Sequence, residues 1–353
     1  MGAGARDGDA ARGGCSRSRT RTGRSLMRGA GMRRLLAPLA IMAGAAGCDV
    51  TDVPPGSGRK MLVASATVVL DIEPAEPSRI DTRAVALVSE AYQQALTEVP
   101  GAAVRITGAS GRSLSLVEEE DPLGACTVLP EDLYGVDGPL GIIGSCHTAT
   151  ATSAVFAPGE VLTLAVTTPD GAVLEGTSRM PDAFVPQGLL VEDGRCRVEP
   201  DTGYRFAWAP VEGAWAHVGE AEITGLSPSL WSSSDPLYLP VTVLGRGRDV
   251  TDMVFPQDFL LELLSDVDNV ELHRTLDAGL PGGARADVTI AALDRNWANW
   301  IREGRLNING ETVIPSVFGD GTGMFGTAVR WKVEVESRAA AGAGDVPLCG
   351  AAG

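Results

Sequence analysis

Lysine is almost missing from this chain: Lys60 and Lys332 stand against 27 arginines. That imbalance reads as the coding bias of a GC-rich genome and carries no function. Histidine is as scarce, with only His147, His217 and His273. None sits in a ligand spacing such as His-Glu-x-x-His, so a zinc centre would have to be assembled entirely by folding. The ordinary reading is stronger for each. His147 neighbours Cys146, His217 packs near Trp215 at a domain rim, and His273 is solvated on a strand face with Glu271 and Thr275. No apolar run reaches the roughly 20 residues that a membrane-spanning helix needs. A Gly-x-Ser-x-Gly elbow is also absent, and Gly108-Ala-Ser-Gly111 is a turn signal instead.

Positive charge is short overall. The chain has 29 basic and 45 acidic residues; nine Arg and two Asp fall in 1–47, which leaves 20 and 43 and a net charge of −23. Such a chain is not a non-specific binder of nucleic-acid backbone, which depends on many phosphate-neutralising cations. Nucleic acid is therefore not an expected partner. The same charge disfavours electrostatic adhesion to anionic lipid and suits an envelope protein that meets cations or a basic partner.

What is present is an address. Met32-Arg-Arg-Leu-Leu-Ala-Pro-Leu-Ala-Ile-Met-Ala-Gly-Ala-Ala-Gly-Cys48 has a basic start, an uncharged stretch and small residues before a cysteine. This is the pattern of a bacterial lipoprotein signal peptide, 32–47, with Cys48 as the lipidation site. Palmitate or a similar acyl chain on Cys48 would be the membrane anchor, placing the protein in the cell envelope. The outer membrane is the leading choice, with its periplasmic or surface face open. Residues 1–31, with seven Arg, read as upstream sequence before a true start at Met27 or Met32, or else as a disordered arm. Residues 48–60 read as a Pro-, Gly- and Asp-rich tether.

Setting aside Cys15 and Cys48, four cysteines remain, an even count that argues for two disulfides in an exported protein. Of the three connectivities, Cys126–Cys146 and Cys196–Cys349 are favoured. Closing the first loop stabilises by about 3 kcal/mol on the chain-entropy model. No two of these cysteines lie close enough for a zinc knuckle.

Strand signals recur along the chain. Val68, Leu70 and Ile72 alternate on one face, as do Ala102, Val104 and Ile106, and then Leu162, Leu164 and Val166. Pro169-Asp170-Gly171 turns into Val173-Leu174, and Val329, Trp331, Val333 and Val335 share the inward face of a late strand. Short strands between turn residues predict a mainly β protein of two antiparallel β-sandwich domains of immunoglobulin or fibronectin type III kind. The N-terminal domain would span 61–182 and the C-terminal one 189–336, with a break at 181–188 and a Gly/Ala-rich tail at 337–353. Two helices are expected in the second domain. One covers Gln257–Ser265; the other starts at Asp294 as N-cap and puts Trp297, Trp300 and Ile301 on one face.

The order of these pieces resembles a family of Gram-negative envelope lipoproteins that contain a domain of unknown function. The likeness runs through Pro100-Gly-Ala-Ala-Val-Arg-Ile-Thr107, Pro158-Gly-Glu-Val-Leu-Thr-Leu-Ala-Val166 and Thr177-Ser-Arg-Met-Pro181. It continues through Gly203-Tyr-Arg-Phe-Ala-Trp208, Leu293-Asp-Arg-Asn-Trp-Ala-Asn-Trp-Ile301 and Val317-Phe-Gly-Asp-Gly-Thr-Gly-Met-Phe-Gly326. The resemblance implies β-sandwich domains and a binding or accessory role, often beside a TonB-dependent outer-membrane receptor. It supplies no catalytic residues. Separately, Trp208-Ala-Pro-Val-Glu-Gly-Ala214 looks like the early core strand of a fibronectin type III domain.

Gly321-Thr-Gly-Met-Phe-Gly326 formally matches a dinucleotide fingerprint, yet no βαβ unit surrounds it. With Gly319, these glycines read as a tight turn beneath two buried aromatics, Phe318 and Phe325. Asp266-Val-Asp-Asn269 and Glu118-Glu-Glu-Asp121 offer oxygen ligands for calcium but lack the EF-hand spacing, so no cofactor and no metal is indicated. Carboxylate pairs for glycoside hydrolysis are a weaker alternative among 43 acids. The leading expectation is a non-enzymatic, lipid-anchored binding module, with a structural component of the envelope as runner-up. The loops 118–144 and 227–236 are the favoured surfaces, and Trp231, Trp297, Trp300 and Asp320 the candidate contact residues.

Overall fold

Along Val161–Thr167 every second side chain is buried, and the same alternation runs through Val173–Arg179. That period suits a strand with one wet face, and here it repeats around a complete ring. The computed structural model describes residues 60–92, 95–120, 126, 144–231, 236–244, 250–261, 270–303, 314–339 and 346–350. All belong to one compact unit, Pro55–Gly353. Cys48 and Asp266-Val-Asp-Asn269 lie outside the described residues, as does most of the 118–144 loop.

The strands are β1 (Met61–Ile72), β2 (Ile80–Tyr92), β3 (Ala95–Glu98), β4 (Ala103–Gly108), β5 (Ser113–Glu118) and β6 (Ser145–Ala151). There follow β7 (Val161–Thr167), β8 (Val173–Arg179), β9 (Arg195–Val198), β10 (Tyr204–Ala207) and β11 (Ala216–Thr224). The last are β12 (Leu237–Leu244), β13 (Asp252–Phe255), β14 (Arg285–Leu293), β15 (Val317–Gly319) and β16 (Gly321–Ser337). Two helices, α1 (Val270–Ala278) and α2 (Arg295–Glu303), and a 3₁₀ turn at Gln257–Leu261 complete the set.

Hydrogen-bonded neighbours run β1-β2-β6-β5-β4-β7-β8-β15-β16, and β16 pairs back onto β1. The result is a single closed nine-stranded β-barrel with peripheral strands and two helices, not two β-sandwich domains. Alternating short strands look alike in sandwich and barrel sequences, because the period shows which face is buried and not whether the sheet closes. An odd ring cannot be antiparallel throughout. The odd pair is β1–β16, which is parallel from Leu62↔Gly321 to Ile72↔Trp331.

The glycine run makes that closure feasible. It does not turn, as expected, but starts β16. A Cβ at Gly321 would lie 1.9 Å from the Leu62 carbonyl oxygen, and one at Gly323 1.8 Å from that of Ala64. Only glycine permits this approach of the two backbones. Of the two aromatics expected inside, Phe325 is fully buried, whereas Phe318 is 60% exposed. Val104, Ile106, Leu162, Leu164, Val166 and Leu174 line the barrel core with almost no exposure. Each such side chain contributes about 2 kcal/mol of burial.

β15 is only three residues long, and where it ends β8 and β16 are joined by side chains instead. The Asp294 carboxylate accepts hydrogen bonds from Ser178 Oγ at 2.6 Å and from the Thr327 backbone N–H at 3.1 Å. It also caps α2, accepting from the N–H groups of Asn296 (3.2 Å) and Trp297 (2.9 Å). Asn296 Nδ2 donates to the Thr177 and Phe325 carbonyls at 2.8 and 2.9 Å, bridging both strands. The N-cap read from the sequence is thus also a clasp across the barrel wall. Burial pushes the Asp294 carboxyl up to about 6, against the opposing pull of these hydrogen bonds.

Beyond the ring, β16 continues into an outlying sheet with β14, β11 and β12, while β9 takes the edge that β1 leaves. Both expected disulfides are formed, Cys126–Cys146 and Cys196–Cys349, the latter holding the tail residues Pro347–Gly350 against β9 and Leu189. Other local expectations change. His273 lies on α1, not on a strand, and only Gln257–Leu261 of the expected Gln257–Ser265 helix is described, as a 3₁₀ turn.

Candidate functional site

The outlying sheet has one face in the core and one outside. Ala286, Val288, Ile290 and Ala292 of β14 are buried, as are Val329, Trp331, Val333 and Val335 of β16. Their alternates point outward. At one end of that outer face, α2 covers Val69, Val218, Leu293 and Ala328 with Trp297 and Ala298. At the other end the face is open and charged.

Three register rows build it. Arg330 of β16 pairs with Asp71 of β1, and its Nη2 reaches Asp71 Oδ2 at 3.0 Å, with Arg83 Nη2 at 3.1 Å. Burial alone would raise the Asp71 carboxyl, but the hydrogen bond and charge of Arg330 outweigh it and hold the group below the ordinary range. The next row runs Glu220↔Thr289↔Lys332 across β11, β14 and β16. The third runs Tyr238↔Glu222↔Asp287↔Glu334↔Arg195 from β12 to β9.

These rows, with Glu73 and Pro74 after β1 and the Asp193-Gly194 turn before β9, enclose a cleft of about 450 Å³. Asp193 takes a left-handed φ of 51°, which brings the turn to the cleft rim. The lining holds six carboxylates and two cations, Arg195 and Lys332. Burial raises the Glu220 carboxyl, opposed by the Tyr238 hydroxyl and by Arg330 and Lys332. Lys332, exposed as a residue, is still held below the usual lysine range, first by partial loss of water and then by Arg330. Glu334 has Arg285 at 3.9 Å. Glu222 and Asp287 face each other with no cation partner among the described residues. Directly opposed like charges on a sheet are destabilising, by roughly 0.2–1 kcal/mol.

The residues favoured by sequence lie elsewhere and apart. Trp297 is 5% exposed and packs under α2, with its indole N–H unpartnered among the described residues. Trp300 packs at the edge of the same cluster, and half-buried Trp231 packs against the main core. Asp320 accepts from the Val173 N–H at 2.8 Å and donates its own N–H to the Val173 carbonyl at 2.9 Å, joining β8 to the β15–β16 turn. His147 and His217 are buried, and His217 stacks near Trp208 and Phe184, where burial lowers it to about 4. Among the described residues no group of three or more His, Cys, Asp or Glu is placed to hold a metal ion. No helix among them is long and apolar enough to cross a membrane.

Sequence reasoning missed the cleft. Its only local signal is the alternation Glu220-Ala221-Glu222, which marks an outward face but not what stands beside it.

No protein-family model matches this chain, and no curated protein matches it. Among solved structures it is similar to the Fcho1 Mu homology domain of Danio rerio with bound Eps15 peptide. That match has 8% identity and a TM-score of 0.21, and it covers 79% of this chain and 98% of that one. A likeness so loose carries no argument about fold or partner.

Proposed function

We propose that this chain is a bacterial cell-envelope protein, acylated at Cys48, that works without catalysis as a binding module. Its acidic cleft receives a basic segment of a partner. The carrying observation is the unneutralised Glu222–Asp287 pair across β11 and β14, a local cost that a bound cation would relieve. Two intramolecular disulfides support export to an oxidising compartment. An outer-membrane transporter of the TonB-dependent class is the first partner to try, on the sequence resemblance alone.

The test uses residues 48–353 with disulfides intact and a labelled arginine-rich peptide, followed by fluorescence anisotropy. Glu222→Gln with Asp287→Asn should weaken peptide binding about tenfold while raising stability by about 0.5–1 kcal/mol. Unchanged affinity would remove the cleft from the proposal. Mass spectrometry of protein from native membranes addresses the anchor separately: a start at Cys48 with acyl chains is expected, and an unmodified upstream start refutes it.

A further inference from the structure

Nearly every described arginine is paired with a carboxylate, as the acid excess of this chain would predict. Arg105 instead donates to the Ser113 hydroxyl at 2.8 Å, and Arg302 to Asn299 Oδ1 at 3.1 Å. Arg179 and Arg295 differ: both are exposed, and neither has a carboxylate or hydroxyl partner for its guanidinium among the described residues. They stand close together because the residues beside them, Ser178 and Asp294, share the 2.6 Å bond of the barrel clasp.

The Arg295 guanidinium carbon lies 5.1 Å from the centroid of Trp215, which is itself 38% exposed. The Trp215 N–H donates to the Leu293 carbonyl at 2.8 Å, so the indole is fixed beside the start of α2. Val161, 46% exposed and the cross-strand partner of Arg179, adds apolar surface next to the charges. Two unpaired guanidiniums held side by side repel one another. In a chain with a surplus of carboxylates, leaving both unpaired preserves them for an external acid.

We propose that Arg179, Arg295 and Trp215 form a docking surface for a carboxylate-bearing segment of a protein partner, with an apolar side chain next to the acid. Each guanidinium offers a planar fork that matches a carboxylate. The clasp and the cation–π contact hold the platform in place, so little side-chain freedom is lost on binding. Trp and Arg are the residues that most often dominate protein interfaces. Val161 and the indole edge call for an aliphatic neighbour to the acid, which a peptide supplies and a phosphorylated glycan does not. This surface is opposite in sign to the cleft and does not depend on it.

The probe is a fluorescein-labelled peptide Glu-Leu-Glu-Glu-Leu-Glu, titrated with residues 48–353 at low and high salt. Binding should weaken with salt, fall about tenfold in Arg179→Ala/Arg295→Ala and severalfold in Trp215→Phe, and persist in the control Arg105→Ala. Thermal melting of each variant checks that the barrel is intact. Failure of the peptide to bind, or equal binding by the double variant, overturns the proposal. So does inorganic polyphosphate binding in the peptide's place with loss in that same variant.

Discussion

Replacing Asp294 with Asn separates the charge of the clasp from its hydrogen bonds. In Asp294→Asn, Oδ1 can still accept from the Thr327 and Trp297 N–H groups, and Nδ2 can donate to Ser178 Oγ. The Asn296 N–H, the longest of the four bonds at 3.2 Å, loses its acceptor. What disappears is titration. The Asp294 pKa is raised from 3.8 to about 6 by burial. Because the folded value lies above the unfolded one, folded protein keeps this proton to higher pH. The stability from this group is complete below 3.8 and is lost as pH climbs through about 6. A shift of that size corresponds to about 3 kcal/mol between the two ends of the window. Wild type should therefore be the more stable form near the acid end and lose that advantage by neutral pH, where the Asn variant equals or exceeds it. Urea unfolding of both proteins across this range, with disulfides intact, measures the crossover. Parallel curves, with a constant gap between wild type and variant, would refute the assignment of a buried, late-ionising carboxyl at the barrel seam.

Other perturbations probe closure and the tail. Gly323→Ala drives a methyl group into the Ala64 carbonyl and should cost at least about 3 kcal/mol, seen as lost amide protection along β1. Opening Cys196–Cys349 by a double Ala substitution frees a loop of 153 residues. The expected loss is about 5 kcal/mol on the chain-entropy model, read as a lower urea midpoint. Removing Cys126–Cys146 releases only 20 residues and should cost about 3 kcal/mol, so its midpoint should fall less.

How far the sequence carried can be judged residue by residue. Val68, Leu70 and Ile72, or Val329 to Val335, announce their buried face because strand periodicity is local. Asp294 announces a cap for the same reason. Disulfide pairing followed from count and chain position. Closure was not legible, since it rests on Gly321 and Gly323 meeting carbonyls some 260 positions earlier, at Leu62 and Ala64. The cleft was hidden in the same way. Glu222, Asp287 and Glu334 come from three separate stretches, and only register makes them neighbours. The tryptophans Trp297 and Trp300 misdirected attention because a helical stripe has the same spacing whether it meets a ligand or a sheet. Here α2 lays them against the outer face of the barrel.

The parallel seam has a consequence for how this molecule is made. β1 is among the first strands to leave any translocating channel, and its partner β16 is among the last. Until β16 arrives, β1 presents an unsatisfied row of amides and carbonyls to whatever is near. Contacts this distant in sequence make for slow folding and a long-lived sticky intermediate. Holding that edge apart from other nascent chains is thus a demand this topology places on the cell's chaperones, one that a barrel zipped from neighbouring hairpins would escape.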